Sequence, residues 1–94
     1  MSKTTIRNLR QKMSDLVSED IEPVLNLETD PVTDERYLQL MAYHNESGTY
    51  IDSETTAIFN SGGKRKLIKS KTALINFAKK YGFKPNNIAI NGIK

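Results

Sequence analysis

The sequence predicts an α+β domain in which an antiparallel sheet of three to five strands is flanked by an N-terminal and a C-terminal helix. Two segments repeat apolar residues at helical spacing, one at the start of the chain and one at residues 70–82. Residues 37–69, which lie between them, combine alternating apolar and polar side chains with turn residues. A chain of 94 residues has room for one domain, which we assign to residues 1–94.

Residues 1–22 predict the N-terminal helix. Its apolar stripe consists of Ile6, Leu9, Met13, Leu16 and Val17. Thr4 or Thr5 can accept a hydrogen bond from an amide of the first turn, so one of them is the expected cap. The helix is expected to end before Pro23, because the residue that precedes a proline is pushed out of the helical region.

Residues 24–36 give two weaker signals. The segment 24–27 is apolar enough to form either a short further turn or a stretch that lies across the core. The acids, the threonines and Pro31 of residues 28–36 predict an exposed linker.

Residues 37–69 predict an antiparallel meander of up to four short strands. Residues 37–44 alternate between apolar and polar side chains, and residues 49–51 continue in strand-favouring types after a turn. Residues 55–60 and 64–69 are the third and fourth strand candidates. The outer face of this sheet is expected to hold three tyrosines: Tyr37, Tyr43 and Tyr50.

Residues 70–82 give the strongest local signal in the chain. Ser70 is placed to cap the helix, and Gly82 suits the left-handed residue that closes it. The buried stripe is Leu74, Phe77, Ala78 and Tyr81. The apolar residues that open the segment 88–92 predict an edge strand there.

The run from Lys66 to Phe83 resembles the C-terminal halves of short proteins carried by plasmids and phages. In those proteins a strand ending in a basic residue and serine leads into a helix of the pattern Ala-Leu-x-x-Phe-Ala and then Gly-Phe. The small size and the lysine- and asparagine-rich composition also resemble phage-borne accessory proteins, including anti-CRISPR proteins. The resemblance implies a protein that binds and inhibits a host complex, and no functional residue is transferred from it.

The residue types that catalysis needs are scarce. The chain has no cysteine and one histidine, His44, which excludes histidine–cysteine metal sites and a Cys–His nucleophile pair. Asp52 and Glu54 alternate on one strand face, but two acids in a small hairpin are more often solvated. The segment 61–64 lacks the glycine spacing of a phosphate loop. We therefore expect a protein that is not an enzyme and has neither a cofactor nor a metal site.

Charge is distributed unevenly along the chain, whose net charge is +3. Every charge from Gly62 onward is positive, whereas the middle of the N-terminal half is acidic. A segment of like charges repels itself unless something anionic lies near it, so either the acidic half compensates it or an anionic partner binds. The candidate binding residues are Lys64, Arg65, Lys66, Lys69, Lys71, Lys79, Lys80, Arg7 and Arg10.

Two functions from different classes agree with these charges. In the first, a non-enzymatic phage protein binds and inhibits a host protein or a ribonucleoprotein defence complex, and its basic surface blocks the access of nucleic acid. Such an inhibitor needs only a rigid fold and a specific surface. In the alternative, a nucleic-acid-binding accessory or regulatory protein contacts phosphates with its cations and stacks bases on its sheet tyrosines. Both alternatives leave the oligomeric state open.

We expect the protein in the cytoplasm, which is the host cytoplasm if a phage encodes it. Without cysteines there is no disulfide framework of the kind common in small secreted domains. No apolar run is long enough for a signal peptide or a membrane span, so no membrane partner is expected.

Overall fold

The computed structural model, which describes residues 4–90, contains a five-stranded sheet and two α-helices. The strands are β1 (Thr4–Thr5), β2 (Ile21–Thr29), β3 (Arg36–His44), β4 (Thr56–Phe59) and β5 (Ile88–Ile90). The helices are α1 (Leu9–Ser18) and α2 (Lys71–Tyr81), with short 3-10 turns at Asp52–Glu54 and Pro85–Asn87. The predicted α+β class is confirmed.

The sheet is mixed, which corrects the prediction of an antiparallel sheet. Its strand order is β1-β4-β3-β2-β5. β3 pairs antiparallel with β2 and β4, whereas β1 pairs parallel with β4, and β5 pairs parallel with β2. The reason lies in the connections. Parallel strands need a crossover between them, and α1 and α2 are the crossovers from β1 to β2 and from β4 to β5.

The longest strand pair contains the strand that the sequence analysis missed. β2 is paired along its full nine residues with β3, where the sequence predicted the end of the N-terminal helix, then a turn or a stretch across the core at residues 24–27, and then the start of a linker. Pro23 is tolerated inside β2 because its backbone nitrogen faces away from β3. The Pro23 carbonyl lies on the same side of the strand, where it accepts a hydrogen bond from the Asn87 side-chain amide at 3.3 Å. The pairing with β5 begins only at Leu25, so no ladder hydrogen bond is lost there.

The predicted exposed linker at residues 28–36 is corrected in part, because residues 31–36 are exposed as expected but the segment is a hairpin connection. It contains the end of β2, a short loop and the first residue of β3. The Asp30 amide donates to the Glu35 carbonyl at 2.9 Å, and the Asp34 amide donates to the Asp30 carbonyl at 2.9 Å. Asp34 has a φ of 62°, a left-handed conformation that aspartate adopts more readily than most residues. The loop therefore closes a β2–β3 hairpin.

α1 is shorter than the helix predicted at residues 1–22, whose first three positions lie outside the described residues. Thr4 and Thr5, the expected caps, form β1 and pair with β4 instead. Val17, which the helical spacing assigned to the apolar stripe, is 60% exposed. Leu9, Met13 and Leu16 are buried or pack against the core, so the face of the helix was assigned correctly at three of its four stripe positions, whereas Ile6 packs on the core from before the helix.

Two of the four strands predicted within residues 37–69 are confirmed, namely residues 37–44 as β3 and residues 55–60 as β4. Residues 49–51 make one isolated bridge to β3. The segment 64–69 also makes only isolated bridges, one to β4 and one to β3.

Lys66 shows why residues 64–69 do not form a regular strand. Its N–H donates to the Ile58 carbonyl at 2.8 Å, and its carbonyl accepts from the Leu38 amide at 3.0 Å. β3 and β4 pair with each other over only two residues each. Beyond that point the two strands separate, and Lys66 lies between them.

The C-terminal elements agree with their predictions. The Ser70 side chain accepts from the Ala73 amide at 3.1 Å, and Gly82 closes α2 with a φ of 84°. β5 supplies the predicted edge strand, and the last two positions of the predicted segment 88–92 lie outside the described residues. Neither helix of residues 4–90 is long and apolar enough to cross a membrane.

One core joins both helices to one face of the sheet. It contains Leu9, Leu16, Ile21, Leu25, Leu27, Leu38, Leu40, Ala42, Ile58, Ile68, Leu74, Phe77, Ala78 and Phe83. The alternate residues of β3 point to the other face, where all of them are half-buried: Tyr37, Gln39, Met41 and Tyr43. We call this the open sheet face, because neither α1 nor α2 covers it.

Phe77 gives a test of the α2 packing. Its side chain is buried in the core and its ring centroid lies 4.6 Å from that of Tyr81. We expect Phe77→Ala to lower the free energy of unfolding by about 3 to 5 kcal/mol, because the truncation removes buried apolar surface and leaves a cavity. Urea denaturation measures this change. The exposed neighbour provides the control: Asn76→Ala should leave the value nearly unchanged, and an equal effect of both variants would contradict the helix register.

Candidate nucleic-acid interface

The nine candidate cations do not form one continuous patch. Lys64, Arg65 and Lys66 follow β4, Lys69 and Lys71 flank the start of α2, Lys79 and Lys80 lie at its end, and Arg7 and Arg10 lie at the start of α1. The two ends of α2 are separated by about 14 Å, from the rise of 1.5 Å per residue. The end of α2 contacts α1 through Arg10 and Lys80, whereas Lys69 and Lys71 lie at the other end of α2.

The cations that follow β4 are divided between the two faces of the sheet. Arg65 bridges to Phe59 and lies on the open sheet face, and the next residue, Lys66, alternates to the opposite side. The Arg65 guanidinium donates to the Asp30 carboxylate at 2.7 Å and lies 4.2 Å above the centroid of the Tyr37 ring. Arg65 is therefore held by groups of the protein itself.

Asp30 is the partner that sequence reasoning missed. The hydrogen bond from Arg65, together with the amides of Val32 and Thr33 at 2.8 and 3.2 Å, lowers the pKa of the Asp30 carboxyl to about 2. The same hydrogen bond raises the pKa of the Arg65 guanidinium. No local pattern relates these side chains, because they lie 35 residues apart in the chain.

The strongest concentration of cations lies where α1 meets the end of α2. Arg10 donates to the Lys80 carbonyl at 2.6 Å. The Arg10 guanidinium carbon and the Lys80 ammonium lie 5.6 and 5.7 Å from the centroid of the same ring, that of Tyr81. We call the surface of Arg10 and Lys80, together with Arg7 and Lys79 close to them in the chain, the basic seam.

The end of α2 explains why Arg10 lies there. Gly82 ends the helix, so the carbonyls of the last turn lack the amides of a further turn. These carbonyls also form the negative end of the helix dipole. Arg10 satisfies one of them with a charged donor, at an exposed position 70 residues distant in sequence.

No carboxylate of the described residues pairs with the basic seam. The ion pairs of residues 4–90 involve other cations: Lys12 with Glu54, Arg65 with Asp30, and Lys84 with Glu22. Acids of the N-terminal half therefore compensate the charges of two cations in the second half. Asp30 pairs with Arg65, and Glu22 pairs with Lys84 at 3.7 Å. The four seam cations remain an uncompensated positive surface.

The open sheet face contains a groove of about 430 Å³. Three aromatic residues line it, Tyr37, Tyr50 and Phe59, together with polar and charged side chains that include Gln39, Asp52 and Arg65. The expectation that three tyrosines share this face is confirmed: Tyr37 and Tyr43 alternate with core residues of β3, and the Tyr50 ring lies 5.5 Å from that of Tyr43.

The residues considered for catalysis do not come together: Asp52 and Glu54 lie in a 3-10 turn rather than on one strand face, and Asp52 lines the groove. His44 is exposed at the end of β3, and Glu54 pairs with Lys12 at 2.7 Å. Within residues 4–90 no group of three or more histidine or acidic side chains is arranged to hold a metal ion. No family model matches this sequence, and no curated protein or solved structure matches it.

The Asp30–Arg65 pair predicts an acid-dependent part of the stability. The unfolded chain protonates Asp30 near its ordinary pKa of 3.8, whereas the folded chain keeps it ionised down to about 2. Because the unfolded state binds the proton first, stability falls as the pH is lowered from about 4 to about 2. We expect Asp30→Asn to remove this part of the acid dependence in urea denaturation series.

A neighbour in the same loop is the control for this measurement. The Asp34 side chain makes no hydrogen bond or ion pair within the described residues, and asparagine tolerates its left-handed backbone. Asp34→Asn should therefore keep the wild-type pH profile. A wild-type profile in Asp30→Asn as well would show that the carboxylate is not held by Arg65.

Proposed function

We propose that this protein is a non-enzymatic nucleic-acid-binding protein that holds a phosphate backbone on the basic seam. The observation that supports this proposal is the meeting of Arg10 and Lys80 at the ring of Tyr81 without a carboxylate nearby. Two cations at one ring repel each other, and a phosphate bound between them relieves that repulsion.

The composition of the seam suits backbone contact. Arginine can hold a phosphate through two parallel hydrogen bonds, and lysine binds it as a point charge. Contacts of this kind position a protein on nucleic acid but do not read its sequence. We therefore propose binding that is independent of sequence and strongly dependent on salt.

The inhibitor function stays a prediction, and the sign of the seam argues against one form of it. Surfaces that receive nucleic acid are themselves positive, because they neutralise phosphates. A positive seam that entered such a groove would be repelled by it. An inhibitor built on this seam would instead cover the nucleic acid that a host complex needs.

The salt dependence of binding tests the proposal. Four cations that each replace a counterion give a slope of about −2.8 in log K against log salt, at about −0.7 per contact for a single strand. We expect Lys79→Gln/Lys80→Gln to reduce this slope to about −1.4. Fluorescence anisotropy with a labelled mixed-sequence single strand, titrated at several salt concentrations, measures both slopes.

The other end of the same helix offers a matched control. Lys69→Gln/Lys71→Gln also removes two positive charges from the net charge of +3, but it does so at the start of α2 rather than at its end. This variant should keep the wild-type slope. Equal losses in both double variants would mean that overall charge alone attracts nucleic acid, and no binding at low salt would refute the proposed function.

A further inference from the structure

We propose that the groove on the open sheet face binds an unpaired nucleobase, which makes single strands rather than duplexes the preferred ligand. This inference rests on the proposed phosphate-binding function and names the ligand class. The groove lies on the open sheet face, whereas the basic seam lies on the opposite side of the sheet, with the helices.

One wall of the groove is a stacked pair that exists before a ligand arrives. The Arg65 guanidinium lies 4.2 Å above the Tyr37 ring and is fixed there by Asp30 at 2.7 Å. The Arg65 side chain is still 33% exposed. Guanidinium planes and aromatic rings are the groups on which proteins stack splayed-out bases. Because Arg65 is already ordered, a base stacked on it costs little side-chain entropy.

Tyr50 supplies the second aromatic surface. Tyr50 is 40% exposed, yet it is positioned by the Tyr43 ring at 5.5 Å and by a backbone bridge to the same residue. Its hydroxyl donates to Asp52 at 3.5 Å. A rigid, solvent-exposed tyrosine is suited to stacking, since every base offers a π-face of similar kind.

The polar groups and the size of the groove agree with this ligand. Gln39 and Asp52 line it beside the aromatic rings and offer amide and carboxylate groups to a base edge. Its volume of about 430 Å³ lies within the range typical of small-ligand sites. A base inside a duplex cannot enter, because its faces are stacked and its pairing edge is occupied.

The edge strand β1 leads from the end of the groove to Arg7. Phe59 lines the groove at the end of β4, and its carbonyl accepts from the Ile6 amide at 2.8 Å. Arg7, a cation of the seam, follows Ile6 directly. Neighbouring strands lie about 5 Å apart, so only the width of β1 separates the two surfaces. One strand of nucleic acid can therefore place phosphates at Arg7 and a base in the groove.

Three labelled probes of equal length separate base binding from phosphate binding. They are a mixed-sequence single strand, an abasic strand with the same phosphates and no bases, and a duplex of the same sequence. One stacked base is worth about fivefold to a hundredfold in affinity. We expect the single strand to bind tighter than the abasic strand by that factor, and tighter than the duplex at equal salt.

Two variants locate this preference in the groove. Tyr50→Ala and Arg65→Lys should each abolish most of the advantage of the single strand over the abasic strand, and Arg65→Lys does so while it keeps the charge next to Asp30. Tyr50→Phe keeps the ring and should keep the advantage. Circular dichroism confirms that each variant is folded.

The outcomes distinguish the two proposals. Equal affinity for the single and abasic strands, or an advantage that survives in both Tyr50→Ala and Arg65→Lys, would overturn the groove proposal and leave phosphate binding intact. Lys79→Gln/Lys80→Gln should weaken all three probes alike. Failure of every probe to bind at low salt would overturn the proposed function itself.

Discussion

The pairing of β2 with β3 is the contact on which the rest of the fold depends. It is the longest ladder in the sheet, nine residues on each strand, and it places Leu25 opposite Leu40 and Leu27 opposite Leu38 on the buried face. A single core then joins this face to both helices. Because a ladder of this length fixes the register of every side chain on both strands, it also decides which residues remain on the open sheet face.

The two helices cover the same side of the sheet because both crossovers, from β1 to β2 and from β4 to β5, run in the same direction across it and such connections share one handedness. The chain therefore presents two chemically different surfaces. The helical side contains the basic seam, and the other side contains half-buried aromatic residues and the groove. In a small domain an uncovered sheet face with several aromatic rings is typical of an interaction surface rather than of a core.

Partners within the protein separate cations whose charge a carboxylate compensates from cations that have no carboxylate partner within residues 4–90. Arg65 is engaged by Asp30 and Tyr37, so its charge links the segment after β4 to the β2–β3 loop. Arg10 satisfies a helix carbonyl, which uses its hydrogen bond but leaves its charge uncompensated. Charge counting along the chain treats Arg65 and Arg10 as equivalent, and only their neighbours in space reveal the difference.

The sequence by itself determined α2, the alternation of β3 and the excess of positive charge after Gly62, because capping, periodicity and charge are local properties. It did not reveal β2. In that strand Pro23 argues locally against a paired strand, and the apolar Val24 interrupts the alternation of apolar and polar residues, so only the pairing with β3 identifies the segment as a strand. Only the tertiary structure decided the parallel pairings and the contacts of Arg10 with Lys80 and of Arg65 with Asp30. These groups are 70 and 35 residues apart, and no local pattern encodes which distant segments will meet.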